Sequence, residues 1–340
     1  MGSVGRLHAA EVSPGVIVEG AQSDPLCRAR YERVRAAMAD HRVDVLLLAR
    51  QANAYYASGA RRVQIAGSGG GVPWVVVRAG ENAPTVFTTD LDGLPEWIAD
   101  AGRLFCWNPT RLVDEISAFG VRRIAYDVAS PRFLALLEAA IPGIEWQDGE
   151  ALMTAVTAIK SPEEVARIEA AVGAAEHAAE AGLRAFHATP EENRVRAATM
   201  GAAIEAGAGF LAREVGCRIA ADRRRIELEV AVVRDGYQGE CVTTGFAAGA
   251  PQDACAAWNR TAENVVAACR PGATAEGLRA AGGEVVIHSI GTGVERPTWP
   301  LRSGMVVVAT LATAMIRGTV TAAITASGAR LLSRPFVSLA

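Results

Sequence analysis

Acid–base chemistry at neutral pH needs a group that titrates there, and His288, within the apolar run VVIHSIG, is one of five histidines in the chain. With an ordinary pKa near ~6.5, an imidazole can both give and take a proton under physiological conditions. Two carboxylates, Glu229 and Glu240, stand eleven positions apart on either side of Asp235-Gly236-Tyr237. Held close together, two such groups push one pKa upward, which suits activation of water or capture of a cationic substrate group. Their spacing does not assign the two roles. Each residue also has a packing reading. A histidine in an apolar run can simply be a core residue, and the alternation RIELEV over 225–230 suits a half-exposed strand with Glu227 and Glu229 both facing water. Cys241, directly after Glu240, is a thiol that a nearby imidazole could activate, although strand thiols are commonly buried.

These groups need a scaffold, and the pattern supplies two units. Cys27, Tyr31, Val34 and Met38 recur at three-to-four spacing and predict a helix, followed by a buried strand over Val43 to Leu48. Strand-like runs at Trp74 to Val77, Thr85 to Thr88 and Val121 to Tyr126 alternate with helical stretches near 110–119 and 131–140, giving an α/β unit. Ser161-Pro162-Glu163-Glu164 then opens a helix that runs to about Phe186, since a serine before proline with acids in the first turn is what orphan amides favour. Val165, Ile168, Val172, Ala175, Ala179 and Phe186 share one face of it. Thr189-Pro190-Glu191-Glu192 starts another helix, and strand-like segments follow at Arg225 to Val233, Cys241 to Phe246, Met305 to Ala309 and Thr319 to Thr325. The expected organisation is an α/β domain over 1–155 and an α+β domain over 156–340. Gly67 to Gly71 leads into a strand-like run rather than a helix, so it lacks the helix terminus of a phosphate cradle.

Composition bounds the function. The 340 residues are 50% hydrophobic and 21% charged with a net charge of −3, a profile of folded globular proteins that excludes disorder, collagen and coiled coil. The scattered positive residues give no footprint for nucleic acid, and no apolar run is long enough for a membrane span. Six dispersed cysteines without a C-x-x-C pair argue against a disulfide framework or structural zinc. The start MGSVGRLHAAEVSPG lacks a basic segment followed by an apolar one, so the expectation is a cytoplasmic protein. Lys160 is the single lysine, and the arginine excess is read as codon bias.

The segments IKSPEEVARIEAAV, EVAVVRDGYQGECVTTGF, VVIHSIGTGVERP, LRSGMVVVAT and ITASGARLLS, in that order and preceded by NAYYASGARRVQ from Asn53 to Gln64, resemble the landmarks of the creatinase, Xaa-Pro aminopeptidase and methionine aminopeptidase superfamily. The resemblance implies an α/β N-terminal domain followed by an α+β pita-bread C-terminal domain. It also implies a homodimer whose N-terminal domain reaches the neighbouring site, where Arg61 and Arg62 would suit a substrate carboxylate.

Most such relatives are dinuclear metallohydrolases with two aspartates eleven apart, one histidine and two glutamates as ligands. Here those positions fall on Glu229, Glu240, His288, Thr310 and Thr319, so two carboxylates are lost and no metal or other cofactor is expected. The second domain is short for this fold: Gly209 to Arg224 carries no histidine where relatives place one, and Glu295 stands near a second missing histidine. Creatinases, which work without metal, are the nearest precedent. By that resemblance His288, Glu240 and Glu229 are the catalytic candidates, and Tyr237, Arg61, Arg62, Glu295, Thr310 and Thr319 contact substrate. The expected function is a metal-independent enzyme acting on a small carboxylate-bearing or cationic metabolite, through C–N or amide hydrolysis or a related elimination, cyclisation or isomerisation, with specialised metabolism as the expected setting. Two alternatives stay open: a metal-dependent Xaa-Pro peptidase with displaced ligands, for which Glu295 or Asp253 substitute, and a non-catalytic binding module.

Overall fold

The computed structural model describes residues 25–60, 74–88, 94–95, 97–98, 100–103, 110–282 and 284–334. The first unit runs α1 (Pro25–Asp40), β1 (Val45–Leu48), α2 (Gln51–Ser58), β2 (Trp74–Arg78), β3 (Thr85–Thr88), β4 (Asp100–Arg103), α3 (Thr110–Ala118), β5 (Arg123–Tyr126), α4 (Pro131–Ala140), β6 (Glu145–Asp148) and α5 (Gly149–Ala158). Its strands form one sheet in the order β4-β3-β2-β1-β5-β6. The apolar run that predicts β1 is buried at all four positions because the strand lies inside the sheet, parallel to β5 and antiparallel to β2. Tyr31, Val34 and Met38 of α1 pack on one side of it. Asn53 has a local job: Asp127 accepts from the backbone N–H of Ala49 at 2.8 Å and from Asn53 Nδ2 at 3.0 Å, which ties the start of α2 to the end of β5.

The second unit continues with α6 (Pro162–Ala188), α7 (Glu192–Glu205), β7 (Phe210–Leu211), β8 (Gly216–Ile219), β9 (Arg225–Arg234), β10 (Tyr237–Phe246), α8 (Gln252–Ala268), α9 (Ala275–Gly282), β11 (Val285–Ile290), β12 (Val294–Glu295), β13 (Val306–Ala312), β14 (Arg317–Thr325) and β15 (Gly328–Leu331). The serine and acids at the start of α6 form a reciprocal cap: Ser161 Oγ accepts from the N–H of Glu164, and the Glu164 carboxylate accepts from the N–H of Ser161. Ile168, Val172, Ala175, Ala179 and Phe186 are buried, as their spacing requires.

Two sheets build this unit. In one, β9 pairs with β10, β7 and β8; in the other the order is β12-β11-β13-β14-β15. Helix α6 lies on the first so closely that a Cβ on Gly239 would meet the Ala171 carbonyl carbon at 2.1 Å. Trp258, Ala262 and Val265 of α8 and Leu278 of α9 cover the second, against Val307, Ala309, Leu311 and Val320. The sheets join along β10. Thr319 Oγ1 accepts from the Val242 N–H at 2.9 Å, the Arg317 N–H donates to Thr244 Oγ1 at 2.9 Å, and the Gln238 N–H donates to the Gly291 carbonyl at 2.8 Å. Among the described residues, no helix is long and apolar enough to cross a membrane.

Candidate active site

The eleven-residue spacing of the two glutamates becomes geometry through one tight turn. Strands β9 and β10 are joined by Asp235-Gly236, both at positive φ (49° and 79°), the backbone of a two-residue hairpin whose twist matches the strands. That register places Glu229 opposite Val242, so Glu240 is its diagonal neighbour on the same face. In the other sheet His288 lies opposite Val308, and Thr310 opposite Thr319. Alternation therefore puts His288, Thr310, Thr319 and Arg317 on one face. The seam along β10 brings the two faces together.

Glu240 and His288 meet there. Glu240 is buried, its Oε1 accepting from Gln238 Nε2 at 2.6 Å and its Oε2 lying 3.3 Å from His288 Nε2. Burial by itself would push the Glu240 carboxyl up; the hydrogen bond and charge of His288, aided by Arg213 and Gln238, outweigh it and hold the carboxyl below the ordinary range. Burial likewise works to lower the His288 pKa, and the bond and charge of Glu240 overcome it, with help from the Ser289 carbonyl and against Arg213, so the imidazole is raised. The ring itself reports the same preference. Nδ1 lies 3.2 Å from the Ser289 carbonyl, which can only accept, and Nε2 faces a carboxylate, so both nitrogens are placed to carry a proton.

Glu229 is held differently. Arg317 Nη1 hydrogen-bonds its Oε1, and Arg213 Nη2 lies 3.7 Å from its Oε2 and 3.7 Å from Glu240 Oε2. The strand alternation suggested a water-facing glutamate, and Glu229 is only partly exposed because these two guanidinium groups cover it. Sequence reasoning missed both arginines. Arg213 lies in the 209–224 segment that was read only for its missing histidine, and Arg317 stands two residues before Thr319, a spacing that in a strand means the same face.

The remaining candidates divide. Thr310 and Thr319 share the site's face, but the Thr319 hydroxyl is spent on the Val242 N–H. Tyr237, expected to contact substrate, is instead fully buried, its hydroxyl accepting from Arg30 Nη1 at 3.0 Å and donating to Glu164 Oε1 at 3.0 Å. Glu295 is likewise withdrawn from substrate, because its Oε2 takes Lys160 Nζ at 2.5 Å in a buried pair. Asp253 is exposed in the first turn of α8. Cys241 sits on the opposite face of β10 from Glu240, in a cavity of about 70 Å³ between α6 and α8, and burial beside Glu176 and Glu180 pushes its thiol up to about 12. That removes it as a nucleophile at neutral pH. Arg61 and Arg62 lie outside the described residues.

A cavity of about 250 Å³ opens between the two units, lined by Arg50, Gln51 and Ala52 from the first and, among others from the second, by Ala212, Thr292 and Gln238, whose amide bonds Glu240. Thr292 Oγ1 donates to the Ala52 carbonyl at 3.1 Å and closes one wall.

Comparisons with known proteins agree with this architecture. A family model described as the creatinase/prolidase N-terminal domain matches residues 30–158. Among solved structures, a prolidase from Pyrococcus horikoshii superposes with a TM-score of 0.73 at 17% identity, over 92% of this chain and 100% of that one. An X-Pro aminopeptidase from Thermotoga maritima gives 0.72 at 14% identity over 89% and 97%, and a dipeptidase from Mycobacterium ulcerans gives 0.71 at 19% over 93% and 98%. No curated protein matches the sequence. Residues 30–158 match the creatinase/prolidase N-terminal domain, and the chain as a whole shares the pita-bread fold of these prolidase and aminopeptidase structures.

Proposed function

We propose that this chain is an enzyme of peptidase-like fold that works without a catalytic metal, using His288 and Glu240 to move protons on a small carboxylate-bearing or cationic metabolite. The reaction class is hydrolysis of a C–N or amide bond, or a related acid–base step. The observation that carries this reading is the His288 ring with an acceptor at each nitrogen, since such a ring is a proton reservoir and offers no lone pair to a cation.

The two-metal group usual for this fold does not fit the residues at the corresponding positions. Glu229 and Glu240 face guanidinium groups, His288 Nε2 faces Glu240, the Thr319 hydroxyl is engaged by backbone, and Thr310 carries no charge. Among the described residues no three His, Cys, Asp or Glu side chains converge as a cation needs. Two metal ions beside Arg213 and Arg317 would also meet strong like-charge repulsion.

The mechanism then belongs to the side chains. At 3.3 Å the His288–Glu240 contact is long for a charge-assisted bond, so the Nε2 proton is not locked onto the carboxylate. In hydrolysis the imidazolium Nε2–H gives its proton to the departing nitrogen as the C–N bond breaks, and the ring, then neutral, takes one back from the water whose oxygen bonds to the carbonyl or amidine carbon. Glu240 stays ionised and stabilises the imidazolium before and after the two transfers, a role a buried carboxylate fills well. Glu229, pinned by Arg317, shapes the charge around it.

The test is turnover of a panel of N-acyl and N-amidino amino acids by chelator-treated protein, alone and with added manganese or cobalt. The expected result is turnover unchanged by chelation and reduced by about 100-fold or more in His288→Gln, the usual weight of a general acid–base group. Cleavage of an Xaa-Pro dipeptide only with added metal would overturn the reading in favour of a metallopeptidase.

A further inference from the structure

Arginines are abundant in this chain, and several of them spend their donors on protein. Arg33 gives hydrogen bonds to Glu164 and to the carbonyls of Val156 and Ile159, and Arg317 bonds Glu229 directly. Arg213 is different. It lies in the loop between β7 and β8, just after Ala212, whose N–H donates to the Ala231 carbonyl at 2.8 Å and fixes the chain there. Its guanidinium straddles Glu229 and Glu240, with Nη2 at 3.7 Å from each, beyond hydrogen-bonding distance. Its side chain is 46% exposed, and among the described residues none of its N–H groups makes a hydrogen bond.

The carboxylates it straddles are already served, Glu229 by Arg317 and Glu240 by Gln238 and His288. With His288 as imidazolium, three cations (Arg213, Arg317, His288) face two carboxylates, an excess of one positive charge. A planar fork of unspent donors at the edge of such a cluster is built to take one oxyanion in two parallel bonds. Ala212 and Gln238, the neighbours of Arg213 and Glu240, line the 250 Å³ cavity, which is below the range of pockets for drug-sized ligands and fits a small metabolite. Arg213 Nη2 and His288 Nε2 both approach Glu240 Oε2, so they lie no more than roughly 7 Å apart and one small molecule can touch both.

We propose that Arg213 is the anchor for a carboxylate carried by the substrate, releasing its loose hold on Glu229 and Glu240 to bind it and so orienting the molecule toward His288. This rests on the preceding reading of the cluster as a small-molecule site, and it narrows the substrate class to molecules with a free carboxylate.

Acetate and inorganic phosphate are the probes, titrated into the full chain at constant ionic strength set with chloride, with the arginine Nε–Hε signals followed by NMR. The Arg213 signal is assigned by its loss in either Arg213→Gln or Arg213→Lys, so one folded variant suffices. The expected result is a saturable shift of that signal with acetate. Acetate affinity, read from the neighbouring backbone amides, should fall at least tenfold in Arg213→Gln and less in Arg213→Lys, which keeps the charge. A signal indifferent to acetate, or acetate binding unchanged in Arg213→Gln, overturns the proposal. Saturation by phosphate at much lower concentration than acetate overturns the carboxylate assignment. Because binding is read without turnover, the two readings fail separately. A silent Arg213 with a dead His288→Gln enzyme removes the anchor alone, and a responsive Arg213 with no metal-free turnover removes the reaction alone.

Discussion

Two clusters in this molecule are made from the same materials, arginine, glutamate and a ring-bearing partner, and they do opposite things. The first is the seam between the units. Arg30 is completely buried, donating to the Tyr237 hydroxyl and the Cys27 sulfur at 3.0 Å each and lying over the rings of Tyr55, Tyr56 and Tyr237. Tyr237 passes the chain of bonds to Glu164, whose other oxygen takes Arg33 at 2.7 Å and the Ser161 N–H at 2.8 Å. The second cluster is the site, where Arg213, Glu229 and Arg317 remain 46%, 28% and 35% exposed and the central contacts stretch to 3.3 and 3.7 Å. Burial and contact distance separate them. A charge shut away from water and held by contacts of 2.7–3.0 Å holds a fold together, and an exposed one with longer contacts can meet a substrate.

The comparison breaks first at Glu164. Removing one member of a buried, hydrogen-bonded pair strands the rest, so Glu164→Ala is expected to cost about 3–5 kcal/mol, measured by urea unfolding. A cost under 1 kcal/mol would mean the seam is no more structural than the site. A smaller effect follows at Gly239, where β10 meets the α6 backbone with no room for a methyl group. Gly239→Ala must push the helix off the strand, an overpacking cost of about 1–3 kcal/mol. It should also weaken turnover, since Glu240 is the next residue; full stability with full activity would show that α6 does not set the strand's position. At the site itself the cost drops further. Arg317→Gln breaks a partly exposed pair, and a stability change within about 1 kcal/mol is expected. A loss matching that of Glu164→Ala would erase the distinction.

How far the sequence reached follows the same line. The elements were legible because period and caps are local: the Cys27 to Met38 spacing, the Ser161-Pro162 helix start and the apolar run before β1 all formed where the pattern put them. Pairing across the Asp235-Gly236 turn was legible too, since two residues at positive φ fix the register that sets Glu229 beside Glu240. What depended on contacts between distant segments was not. Nothing near Tyr237 in sequence announces Arg30, 207 positions away, and nothing near Glu295 announces Lys160, 135 positions away. Both residues had been assigned to substrate, because residue type alone cannot reveal a partner that burial has already supplied. Arg213 escaped for the converse reason: its exposure and unspent donors exist only once β7 and β8 are placed against β9.

The smallest effect is the most specific to the site. His288 has a raised pKa in the folded chain, so its contribution to stability is fully present below the unfolded value near ~6.5 and is lost as pH rises through the folded value. Glu240 has a lowered pKa, so its contribution is present above the unfolded value near ~4.3 and is lost as pH falls through the folded one. The groups facing the pair are Arg213, which opposes His288, and Gln238 and the Ser289 carbonyl, which do not titrate in this range. The stability difference between the natural chain and His288→Gln should therefore be largest in mildly acidic solution, shrink as pH climbs past neutrality and shrink again toward strong acid. Arg30 and Tyr237 of the seam give no such curve, because both have pKa values raised well beyond neutrality: burial works against Arg30 but its Tyr237, Cys27 and Tyr55 neighbours outweigh it, while burial itself lifts Tyr237. Unfolding midpoints of the natural chain, His288→Gln and Glu240→Gln, taken from pH 4 to 9, provide the check. A difference that grows above pH 7 would mean His288 is held neutral, and the dyad would then lack the proton that its geometry is arranged to carry.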